Sequence, residues 1–175
     1  MSEPAPSGPR TLGELMSLAL EMEMEAAQRY ADLADAMDTH NNRAVAALFR
    51  KLSEIESKHA AQIMAAMAWK QPPTPTSAKR PWIGFEAPET TAGDEVHYLM
   101  QPYHALELAL ANEERAERFF GQLARVSVVP SVRKAALEMQ AEELEHIALV
   151  KAWLRKTPKP GPGWAEDPDP ARYTD

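Results

Sequence analysis

Cysteine is absent from the 175 residues, which excludes disulfides, thiolate metal sites and cysteine nucleophiles. Aromatic residues are scarce at 7%, which disfavours strand-rich folds built on them. No apolar run approaches the roughly 20 residues needed to span a bilayer. The first residues lack the basic start and apolar stretch of a secretory signal, so a cytoplasmic location is expected. Positive charge is in short supply: 19 Lys and Arg stand against 26 Asp and Glu, a net charge of −7. A nucleic-acid surface needs a concentrated basic face, and the basic residues here are scattered. Nor is there a Gly-rich phosphate loop or a Ser-His-Asp constellation.

What is present is helix-forming. Hydrophobic residues make up 45% of the chain, with Ala, Leu, Met, Glu and Lys prominent. Proline costs about 3 kcal/mol inside a helix, and all 15 prolines avoid three stretches. The first stretch breaks at Asp38-Thr39-His40-Asn41-Asn42, a run of poor helix formers. It opens on Thr11-Leu12-Gly13-Glu14, a capping-box pattern. Pro102 and Pro130 suit first helical turns. Four helices are therefore expected near 11–38, 43–70, 102–128 and 131–157, in an all-α four-helix bundle. Short turns make the first and last pairs antiparallel hairpins. A long crossover over 71–101 joins them, long enough to run the length of the bundle, with Trp82 and Phe85 expected to pin it. Residues 1–10 and the Pro-rich 158–175 read as disordered tails.

The chain also repeats itself. A shift of 90 residues sets Leu18-Ala19-Leu20 on Leu108-Ala109-Leu110, Glu23 on Glu113, Ala26 on Ala116 and Tyr30 on Phe120. Beyond the turns the shift becomes 87, and Glu56-Ser57-Lys58-His59 falls on Glu143-Leu144-Glu145-His146. Two hairpins of one design make the domain.

Charged residues among the matches point to a site. In Glu-x-x-His on a helix the two side chains share a face and can meet one metal ion. Alone the motif is weak; here it occurs at the same place in each repeat. Glu23 and Glu56 are equidistant from the first turn, and Glu113 and Glu143 from the second, so all four can converge in one layer. Glu23 also falls within the apolar stripe of Met16, Leu20, Ala27, Tyr30 and Ala34. Four buried carboxylates without compensation would protonate, whereas two divalent ions would balance them. One Glu from each of two helices plus Glu-x-x-His from the other two is a carboxylate-bridged two-metal arrangement. Oxygen and imidazole donors without sulfur suit Fe, Mn or Zn.

These residues resemble the rubrerythrin-like members of the ferritin superfamily over about 12–156. Glu23-x6-Tyr30 with Glu56-x2-His59 is similar to the family's first half, and Glu113 with Glu143-x2-His146 to its second. The resemblance implies a ferritin-like bundle with two Fe ions. Glu23 and Glu113 would be terminal ligands, Glu56 and Glu143 bridging ones, and His59 and His146 would bind one metal each. Tyr30 resembles the tyrosine kept near the irons. The implied reaction is of Fe(II) with O2 or H2O2, and a homo-oligomer is expected by analogy. The chain departs from full rubrerythrins in having no cysteine-bearing electron-transfer module, so a separate electron donor is expected. It also has Ala116 where an extra glutamate stands; Glu117 lies one residue further. A non-catalytic metal-stapled bundle and an oxygenase acting on an organic substrate are the alternative readings. His40, His97 and His104 have no partner at ligand spacing and read as non-functional.

Overall fold

Helix formation begins at Thr11, whose Oγ1 accepts the Glu14 N–H at 3.1 Å. The Glu14 carboxylate takes the Arg10 N–H at 2.7 Å, so the reciprocal bond of the capping box falls one residue before the cap. From there α1 runs over Leu12–Thr39, and α2 (Arg43–Ala66), α3 (Pro102–Val126) and α4 (Pro130–Lys156) follow. The computed structural model describes residues 8–74 and 97–168. The expected pins Trp82 and Phe85 lie outside the described residues.

Prolines open α3 and α4 because a first-turn residue needs no N–H partner. Asn41 takes a positive φ of 60° in the first turn, a conformation asparagine tolerates. Helix α2 stops at Ala66 rather than near 70. Ala68 turns to a φ of 53°, and the Trp69 N–H folds back to the Met64 carbonyl at 2.9 Å. This local closure satisfies the helix end and packs Trp69 against the core.

Helices α1 and α2 form one hairpin and α3 and α4 the other, with lighter contacts of α1 on α4 and α2 on α3. The core has two apolar parts. One gathers Leu15 and Leu18 from the start of α1, Ile63 from the end of α2, Phe120 from late α3 and Val132 from the start of α4. The other gathers Met37, Val45, Phe49, Met100, Leu106 and Val150. These memberships fix direction: α1 and α4 run one way, α2 and α3 the other. The chain leaves α2 at one end of the bundle and enters α3 at the opposite end. Asn42 marks that entry, its Nδ2 donating to the carbonyls of Tyr98 at 3.2 Å and Met100 at 2.7 Å.

From residues 158–168, read above as part of a disordered tail, Trp164 and Asp167 reach this end of the bundle. Trp164 lies against the apolar cluster and 3.8 Å from the His104 ring. The Tyr98 hydroxyl donates to Asp167 at 2.8 Å. Indole burial holds a segment whose Pro-Gly composition alone argues for disorder.

Candidate metal centre

Between the two apolar clusters lies a polar layer. Glu23, Glu56, Glu113 and Glu143, one from each helix, are 2–4% exposed. Each sits on the buried stripe of its helix, at the height the hairpin geometry dictates. One turn beyond Glu56 and Glu143, His59 and His146 turn inward to face them. His59 Nδ1 is 3.4 Å from Glu56 Oε2 and 3.6 Å from Glu23 Oε2. His146 Nδ1 is 3.2 Å from Glu143 Oε2 and 3.3 Å from Glu113 Oε2. The two imidazoles stack on each other, centroids 4.1 Å apart and 7° from parallel. The layer thus splits into two groups, Glu23-Glu56-His59 and Glu113-Glu143-His146, each with ligand atoms within 4.8 Å of one another.

Electrostatics shows how the layer distributes its charges. Burial pushes the Glu23 carboxyl well above its ordinary value, and neighbouring Glu56 and Glu143 push it further. Burial, with the charges of Glu56 and Glu143, raises Glu113 to about 8 against the pull of His146. Burial alone would raise Glu56 too, but hydrogen bonds with His59 and Glu23 leave it lowered. Burial lowers the histidines, yet hydrogen bonds to their glutamates win, raising His59 to about 9 and His146 to about 11. At neutral pH Glu113 therefore keeps its proton and both imidazoles are charged.

The residues fit a pair of divalent cations. Glu23 Oε2 is buried and makes no close hydrogen bond among the described residues, His59 Nδ1 standing 3.6 Å away, so a cation placed here would satisfy it. Four carboxylates and two imidazoles give an oxygen-rich donor set suited to iron or manganese. Both histidines present Nδ1 to the carboxylates, so each ring is already turned for ligation.

Other residues singled out in the sequence have different places. Tyr30, 1% exposed, lies two turns along α1 from Glu23, in the apolar layer beside Phe49, with ring centroids 6.0 Å apart. Glu117 accepts a hydrogen bond from Gln140 Nε2 at 2.6 Å, one turn from the layer, bridging α3 to α4. His97 and His104 accept backbone N–H groups of Leu99 and Gln101 through Nδ1, at 3.1 and 3.0 Å, and His40 rests on Tyr98. These three serve the end of the bundle. Sequence reasoning missed Asn112, 2% exposed, whose Nδ2 donates to the Tyr30 hydroxyl at 3.1 Å, and Arg115, whose Nη2 donates to Asn112 Oδ1. The signal was available: Asn112 interrupts the buried stripe Ala105, Ala109, Ala116 of α3.

Fold and site together define a class: a four-helix bundle whose core carries two like Glu-Glu-His groups able to hold metal. Comparison with known proteins then supplies the family. The Rubrerythrin family model matches residues 14–100, the part that carries Glu23, Tyr30, Glu56 and His59. An uncharacterised conserved protein from Magnetospirillum magnetotacticum MS-1 has a similar crystal structure, with TM-score 0.62 and 35% identity. The match covers 86% of this chain and 98% of that one. Among curated proteins no match is found. The chain belongs to the rubrerythrin-like proteins of the ferritin-like superfamily. No helix among the described residues is long and apolar enough to cross a membrane.

Proposed function

We propose that the protein is a di-iron carboxylate oxidoreductase that reacts Fe(II) with O2 or H2O2 in the cytoplasm. A separate donor returns the electrons, and a homo-oligomeric state belongs to the same proposal. One observation carries the reading: four buried glutamates and two inward histidines form one layer, split into two like groups. In this reading Glu23, Glu56 and His59 would hold one ion and Glu113, Glu143 and His146 the other. Bound together, two ferrous ions supply two electrons, which with two protons reduce H2O2 to two waters.

The chain's own residues do the rest. His59 and His146 orient Nδ1 toward the carboxylates, and loss of their protons frees those nitrogens for ligation. Phe49 and Leu52 on one side and Phe120 and Met139 on the other keep bulk water from the layer. Tyr30 supplies a buried hydroxyl and acts as proton donor. The cysteine-free chain offers no thiolate electron-transfer site, which is why a separate donor is part of the reading.

The test is metal content after expression with iron, followed by anaerobic Fe(II) loading and exposure to O2 or H2O2. Two irons per chain and a fast rise of near-ultraviolet absorbance are expected, both lost in Glu56→Ala. Metal that binds but stays spectroscopically inert would mean a structural staple. Equally low binding by wild type and Glu56→Ala would end the reading.

A further inference from the structure

The two halves of the bundle are alike at the metal layer and unlike beside it. The 90-residue shift relates Tyr30 to Phe120 and Asn112 to Met22. On one side of the layer, Tyr30 and Asn112 meet in a buried hydrogen bond of 3.1 Å. On the other, Met22 and Phe120 are simply part of the apolar cluster. The fold therefore accepts wholly apolar side chains at these positions. A buried amide is not needed for packing, and it costs free energy unless its polar atoms are paired.

Asn112 is paired at both ends. Its Nδ2 donates to the Tyr30 oxygen, and its Oδ1 accepts from Arg115 Nη2. Arginine stays protonated and can only donate, so its contact defines which end of the amide is the oxygen. The Asn112 NH2 is thereby turned toward Tyr30 and cannot flip. A donor bond from a cation also polarises the amide, which strengthens its own N–H as a donor. Arg115 is held here although its Nε is buried without a hydrogen-bond partner among the described residues, so the Asn112 contact is made at some cost.

We propose that Asn112 and Arg115 are positioning residues for Tyr30: the cation-anchored amide occupies the phenol oxygen as an acceptor, polarises its O–H and aims that proton away from Asn112. This rests on the reading that Tyr30 acts as proton donor beside the metal layer, and it deepens that reading. It makes the site asymmetric. The half containing Tyr30 has this hydrogen-bonded phenol, while its counterpart Phe120 carries no hydroxyl.

The experiment observes the phenol directly in the full-length, metal-free protein. Tyrosine is labelled at Cζ with 13C, and the Tyr30 resonance is assigned by its disappearance in Tyr30→Phe. Asn112→Leu removes the amide donor, and Arg115→Gln removes its cationic anchor. Both are expected to shift the Tyr30 resonance in the same direction, with the smaller shift in Arg115→Gln. Arg115→Lys keeps the charge and is expected to stay near wild type. Asn112→Asp replaces the donor by an acceptor, forces the phenol to donate, and is expected to shift the resonance the opposite way. A Tyr30 signal unmoved by Arg115→Gln, or moved alike by Asn112→Leu and Asn112→Asp, overturns the proposal. Thermal melts on the same samples confirm that each variant is folded. Metal content, measured in parallel, tests the di-iron reading on its own. Failure to bind iron would sink that reading while leaving the resonance shifts to decide this one.

Discussion

Metal binding to this protein is expected to displace protons in numbers that can be counted. At pH 7 Glu113, His59 and His146 lie below pKa values of about 8, 9 and 11, and Glu23 is raised as well. The three groups with these values hold protons in the metal-free layer and must release them to become ligands, and the upward shift of Glu23 acts in the same direction. Two divalent ions take the place of these protons and balance the charge of the carboxylates that would ligate them. From the three numbered values, about three protons are released at pH 7 and about one and a half at pH 9; Glu23 adds up to one more. Because protons compete with the metal, apparent affinity rises with pH across this window. The assay is calorimetric titration with Zn(II), which avoids redox chemistry, repeated in buffers of different ionisation enthalpy. His146→Ala is expected to release about one proton fewer. Release of fewer than about two protons by the wild type at pH 7 would refute the charge assignment, and release independent of pH would refute its cause.

The same raised values make the metal-free protein sensitive to alkali. A group whose folded pKa exceeds its unfolded value adds stability below the unfolded value and loses it as pH rises through the folded one. The contribution of Glu113 is therefore lost by about pH 8 and that of His59 by about pH 9. The melting temperature of the metal-free protein should fall across this range, while a flat profile would contradict the raised values. Phe49→Ala is expected to cost about 3–5 kcal/mol, since Phe49 is fully buried and packs on Tyr30. Urea unfolding reads it, and a loss under about 1 kcal/mol would mean that this layer is loosely packed. At Gly121 an added Cβ would come within 2.5 Å of Gln140 Nε2. Gly121→Ala should push that side chain off Glu117 and cost about 1 kcal/mol with metal content unchanged. Lost metal would instead tie Glu117 to the site.

Helix number, hairpin pairing and the six polar residues of the layer were legible in the sequence because each follows from local rules. Proline excludes itself from helix interiors, apolar side chains recur at helical spacing, and residues equidistant from a turn share a height. The repeat then singled out Glu23, Glu56, His59, Glu113, Glu143 and His146 from many other charged residues. Other features depend on partners far apart in the chain. The bond between Tyr30 and Asn112 joins residues 82 positions apart, and nothing local announces it. Trp164 anchors a segment that composition alone assigns to disorder, because the surface it covers is built from other elements. Glu117 faces Gln140 rather than the layer for the same reason. Residue spacing along helices determined which side chains share a face and a height. Only the packing of four helices decided which of those faces meet, because that depends on side-chain volumes and charges contributed by several segments at once.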